Sequence, residues 1–115
     1  LVYITNILKC YPPKNKPYKS EINSCRKYFD RELDDLVDLK VVITLGQAAF
    51  AETIRYFKLP KKMYKFSHGK IINNNDMPQI ISSYHCSKLN FNTNKINIRM
   101  LRDIIDRAFK IINNE

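Results

Sequence analysis

The run Lys40-Val41-Val42-Ile43-Thr44-Leu45 passes through Gly46 straight into the alanine-rich stretch Gln47 to Phe57. A short β-branched run, a glycine turn and a helix-forming segment make a βα unit, which restricts the chain to alternating α/β architecture. Other segments extend the alternation. Leu1-Val2-Tyr3-Ile4-Thr5 reads as a strand, Leu59 to Ile72 as a loop and then a strand around Phe66 to Ile72, and Met77 to Ser83 as a strand centred on Ile80 and Ile81. Ser20 is placed to cap a helix, with Glu21 favourable against its dipole and Ile22, Cys25, Phe29, Leu33 and Leu36 on one face. Asn97 is placed to cap a final helix whose stripe is Leu101, Ile104, Ile105, Ala108 and Ile112. The order β, α, β, α, β, β, α predicts a mainly parallel sheet with helices on both faces.

At 115 residues the chain is long enough for one domain, residues 1–115, and too short for two. It opens on a strand-like run with no initiator methionine, so we expect it to be the C-terminal part of a larger domain. Between Lys9 and Lys19, Pro12, Pro13 and Pro17 exclude helix interior and central strand, which predicts a tethered loop. Asn73-Asn74-Asn75-Asp76 reads as a turn. Twenty Lys and Arg against eleven Asp and Glu give a net charge of +9. That excess suits a polyanionic partner, although the richness in Asn, Lys and Ile also reads as the habit of an AT-rich coding genome. No apolar run approaches membrane-spanning length and no signal-peptide pattern is visible, so a cytoplasmic protein is expected.

Chemistry concentrates after the Ile80-Ile81 strand. Ligands of open α/β sheets gather beyond the carboxyl ends of strands, and His85 falls there, followed by hydroxyls, amides, Lys88 and Lys95 but no carboxylate. A lone histidine is more often a surface or satisfied core residue, and this one is set apart by its strand-end position. Cys10 and Cys25 allow two readings. A loop thiol and a helix thiol could converge on one metal, or both could be packing residues, the commoner fate of free cysteine. An odd total of three cysteines argues against a disulfide framework in a cytosolic chain.

Taken in order, several segments resemble one family: Val2-Tyr3-Ile4-Thr5-Asn6, Lys9-Cys10 with Pro12-Pro13, Glu21-Ile22 with Cys25, and Val42-Ile43-Thr44-Leu45-Gly46. Phe66-Ser67-His68-Gly69 and the His85 segment complete the series. The chain thereby resembles the iron-sulfur uracil-DNA glycosylases over nearly all its length. Asn90, Asn92, Thr93 and Lys95 look more like family 5, the UDGb type, than family 4.

The resemblance implies a three-layer α/β/α sandwich and a monomeric, nucleoid-associated repair enzyme that flips and excises uracil, or another deaminated base, from DNA. Cys10 and Cys25 match two of the four ligands of a structural [4Fe-4S] cluster. Asn6 matches the asparagine that reads the uracil edge; taken alone it would be a strand-end residue capping its own turn. His85 matches the histidine that faces O2 of the flipped base, Ser87 a phosphate contact, and Leu89 the wedge that fills the vacated stack. Lys88, Asn90, Asn92, Thr93 and Lys95 would follow the DNA backbone.

The chain also departs from the family pattern. Cys86 stands where the family has proline after the histidine, and Phe91 and Asn94 replace a threonine and a glycine. The motif that positions the attacking water is expected upstream, so these residues alone should be inactive. Two other classes fit the same residues: a catalytically silent DNA-binding relative, and an unrelated α/β interaction or redox domain with packing cysteines.

Overall fold

The computed structural model describes residues 4, 19–73, 77–86 and 88–113, with the side chains of residues 19–25, 88 and 91 outside that description. The expected first strand, the proline loop and the centre of the asparagine turn lie outside the described residues. The chain divides into two compact units, residues 1–38 and 39–115.

In the first unit, helix α1 runs from Lys19 to Asp35. Ser20 therefore sits inside the first turn and is not the cap, a one-residue shift of the kind that fraying helix ends allow. Phe29 is buried, as its place on the apolar stripe predicts. Leu36 lies past the helix end, where its N–H bonds the Leu33 carbonyl at 3.1 Å and closes the last turn.

The second unit is built on a three-stranded sheet. Its elements are β1 (Val41–Leu45), α2 (Gln47–Tyr56), β2 (Ile71–Ile72), β3 (Gln79–Ser83), α3 (Lys88–Asn92) and α4 (Ile98–Ile112). The strand order is β1-β3-β2. β1 and β3 run parallel, with Val42 opposite Ile80 and Leu45 opposite Ser83, whereas β2 is antiparallel to β3. The alternation of a pleated strand then sorts the core. Val42, Ile80 and Ile72 join Phe50 and Ile54 of α2 on one face; Val41 and Ile81 join Ile104 and Ala108 of α4 on the other. Ile54, Ile80, Ile81 and Ile104 are fully buried, each contributing roughly 1.5–3 kcal/mol of apolar transfer.

Helix ends follow local chemistry. At α2, Lys58 adopts a left-handed φ of 57°, and the N–H of Leu59 returns to the Ile54 carbonyl at 3.0 Å. This is the Schellman pattern, followed by Pro60 and sealed by Leu59 packing on the α2 cluster. Asn97 caps α4 as expected, its Oδ1 accepting from the Met100 N–H at 2.9 Å.

Three further expectations need correction. The strand expected around Phe66 to Ile72 is confined to Ile71–Ile72, because Gly69 turns at φ 77° and the preceding residues are held as a strap against β3. The α4 stripe is rotated: Ile104, Ala108 and Ile111 face the core, while Ile105 and Ile112 are 40% and 41% exposed. A fifteen-residue helix with apolar residues over so wide an arc does not reveal its buried face from periodicity alone. Finally, the stretch after His85 contains the five-residue helix α3, too short to leave a periodic signal.

Candidate active site

Parallel pairing of β1 and β3 brings their carboxyl ends to one edge, and the ladder continues one step further as the Gly46 N–H bonds the Ser83 carbonyl at 2.8 Å. β3 runs out through Tyr84 into His85, which is exposed. The strand-end position expected for this histidine is thus the one it occupies.

The backbone around His85 is fixed from several sides. The Asn90 side-chain amide donates to the His85 carbonyl at 2.8 Å, so α3 folds back onto the residue it follows. Gly46 turns from β1 into α2 at φ 96°, and a Cβ placed there would lie 3.2 Å from the His85 Cβ. Glycine is needed here both for the left-handed backbone and for the close approach. The Tyr84 N–H donates to His68 Nδ1 at 3.1 Å, and the two rings stack at 5.0 Å and 19°. Lys95 Nζ lies 5.0 Å from the centre of the Tyr84 ring.

His68 is held in turn. The Gly69 N–H bonds the Ser82 carbonyl at 2.7 Å, the Ser82 N–H bonds the Lys70 carbonyl at 2.9 Å, and the Ser82 hydroxyl donates to the Ser67 carbonyl. From α4, Arg107 Nη1 reaches the Gly69 carbonyl at 3.1 Å and pairs through Nη2 with Asp103 at 3.0 Å. Partial burial, then the Arg107 charge, hold the His68 imidazole below its ordinary pKa, with Asp103 acting weakly the other way. The neutral ring, with Nδ1 as acceptor and the proton on Nε2, is the form this environment favours.

The other expected site residues are distributed as follows. Leu89 is 69% exposed on α3. Asn92, Thr93 and Lys95 are exposed, and the Thr93 hydroxyl donates to the Leu89 carbonyl at 2.9 Å. Lys88 opens α3. Asn90, expected on a DNA track, is half-buried with its amide engaged by His85. Asn6, Cys10 and Ser87 lie outside the described residues. Cys25 is the seventh residue of α1, within the second turn, as expected. Cys86 is half-buried, and burial pushes its thiol up, away from the thiolate form a metal needs. Among the described residues no three potential metal ligands gather, and no helix is long and apolar enough to cross a membrane.

His68, Gly46 and Tyr84 are the parts that sequence reasoning had not assigned to the site. One signal was available: the chain has two glycines, Gly46 and Gly69, both have positive φ, and both lie at this edge of the sheet.

Comparison with known proteins bears on the same segments. The family described as the Uracil DNA glycosylase superfamily matches residues 1–108. A Type-5 uracil-DNA glycosylase of Thermus thermophilus is 30% identical over 110 residues, covering 96% of this chain and 50% of that protein. A Type-5 uracil-DNA glycosylase of Pyrobaculum aerophilum is 34% identical over 107 residues, 93% of this chain and 46% of that protein. A Type-4 uracil-DNA glycosylase of Sulfurisphaera tokodaii is 32% identical over 122 residues, 96% of this chain and 49% of that protein. The chain spans about half the length of these curated relatives.

Proposed function

This chain belongs to the uracil-DNA glycosylase superfamily, and on that premise we propose that it is the His85-bearing part of a longer enzyme that excises uracil, or another deaminated base, from DNA. The observation that carries the reading is His85 itself, exposed at the carboxyl end of the parallel pair with its carbonyl held by Asn90 and its side chain close beside Gly46. The target base is extruded from the duplex and its N-glycosidic bond breaks heterolytically. The bonding electrons pass to N1 of the base, leaving oxocarbenium character at C1′; water adds there, loses a proton and leaves an abasic site. Negative charge on the departing pyrimidine spreads to O2, and a hydrogen bond from the His85 imidazole stabilises it there. Segment 84–96 contains no carboxylate, and the family resemblance assigns orientation of the water to a motif upstream of these residues.

The remaining roles follow the family resemblance. Asn6 reads the base edge, Ser87 and Lys88 contact phosphate, and Leu89 fills the space of the extruded nucleotide, a role its exposure supports. Asn90, Asn92, Thr93 and Lys95 line the backbone track, Asn90 while also holding His85. Cys10 and Cys25 supply two of four thiolates for a [4Fe-4S] cluster. Such a cluster would tie loop to helix and supply no step of the reaction. The donor type fits, since cysteine thiolates are the ligands such clusters take and Cys25 stands within α1. The complete fold is a three-layer α/β/α sandwich with a mainly parallel sheet. The enzyme works as a cytoplasmic, nucleoid-associated monomer.

Full-length protein incubated with a uracil-containing duplex should release free uracil and leave an alkali-labile site. Binding of the duplex with no release of base would overturn the enzymatic reading in favour of a silent relative.

A further inference from the structure

We propose that His68 is a positioning residue for His85, its Nδ1 accepting the Tyr84 N–H and its ring backing the Tyr84 ring, so that together they fix Tyr84, the residue from which the chain passes into His85. The inference rests on the reading of His85 as the leaving-group donor. It adds a residue that touches neither base nor DNA.

The contacts form a chain of support. The strap Ser67–Lys70 is tied to β3 by the Gly69–Ser82 and Ser82–Lys70 backbone bonds and to α4 by Arg107, which leaves His68 little freedom to move as a unit. A 3.1 Å bond to the N–H of Tyr84, the residue before His85, and a near-parallel stack at 19° then transmit that rigidity across one residue. On the far side of His85, Asn90 holds the carbonyl. The peptide entering Tyr84 and the peptide leaving His85 are therefore each clamped by a different side chain. Placement matters because an error of about 1 Å in a reacting group can lower a rate about a hundredfold.

The support depends on protonation. Nδ1 accepts only as a lone pair; a proton there sets donor against donor and releases Tyr84. The charged groups around the ring are Arg107 and Asp103 on α4, with Lys95 above the Tyr84 ring and Lys70 turned to the Lys65 carbonyl. Partial burial, and after it the Arg107 charge, keep the ring neutral against the one carboxylate. Because the folded-state value lies below that of the unfolded chain, the bond is fully present above the ordinary histidine range and lost as the pH falls through the lowered value.

The test uses the full-length protein, its His68→Leu and His68→Asn variants, and a uracil-containing duplex. Asparagine places an amide oxygen where Nδ1 stood but does not titrate. His68→Leu should slow single-turnover release about tenfold, with the duplex affinity changed less than about twofold, because the lesion is one of geometry. His68→Asn should recover most of the rate and lose the acid limb attributable to His68. Amide exchange at Tyr84 should accelerate in His68→Leu and stay slow in His68→Asn. Unchanged Tyr84 exchange in His68→Leu, or equal rates in the Leu and Asn variants, would overturn the proposal. The exchange measurement needs no turnover, so an inactive wild type with a protected Tyr84 amide would sink only the glycosylase reading.

Discussion

Two histidines bear on the exit of β3, His68 through its contacts with Tyr84 and His85 as the next residue along the chain, and their surroundings differ in kind. His68 is half-buried, stacked, hydrogen-bonded through one nitrogen and held below its ordinary pKa. His85 is exposed, its backbone clamped by Asn90 and crowded by Gly46. The difference separates holding from acting. A side chain whose hydrogen-bonding capacity is spent on the protein can orient a neighbour, while one whose backbone alone is fixed presents its ring to a ligand. Sheet ends suit this division because strands give a rigid base and the loops beyond them supply reach.

The contrast predicts a graded series in the full-length protein. His85→Ala should lower single-turnover uracil release by about 10²–10³, the range for removing one donor to a developing negative charge, with duplex affinity retained. A loss below about fivefold would mean that His85 does not act on the base. Gly46→Val adds a side chain at φ 96° within 3.2 Å of the His85 Cβ. It should slow release about 10–100-fold and lower the melting temperature, since both the turn and the donor must shift. Wild-type rates in this variant would show that the close approach does not position His85.

Asn90→Ala removes one hydrogen bond to the His85 carbonyl, worth about 1 kcal/mol, and should slow release about fivefold. If it weakened duplex binding and left the rate alone, Asn90 would belong to the DNA track only. The smallest effect is expected at Lys95, whose ammonium lies over the Tyr84 ring and faces solvent. Lys95→Met should weaken duplex binding modestly and reduce the salt dependence of binding by about one unit of slope. An unchanged slope would remove Lys95 from the phosphate contacts.

Much of this division was legible in the sequence, and the unread part has a physical reason. The βα unit at Gly46, the β3 strand, the Asn97 cap and the strand-end place of His85 followed from residue type and spacing, because each depends on contacts within a few positions. The antiparallel edge strand and the strap before it did not, because Phe66 to Ile72 carries a strand-like composition while its conformation is set by Ser82, sixteen residues from Phe66 on a different element. His68 was visible only as part of a motif. Its partner is a backbone N–H at Tyr84, and backbone donors leave no mark in a sequence. The buried face of α4 was misread for a related reason: residues 104 and 105 are equally apolar, and only the sheet chooses between them.

The central claim is that His85 stabilises charge on the departing base. The most direct test compares wild-type and His85→Ala full-length protein on duplexes carrying uracil or 5-fluorouracil, the latter leaving more readily because fluorine withdraws charge from the ring. A donor to the leaving group matters less when the group needs less help, so the penalty for losing His85 should be clearly smaller with 5-fluorouracil than with uracil. Equal penalties on the two bases would contradict the claim and leave His85 with a role in binding or folding alone.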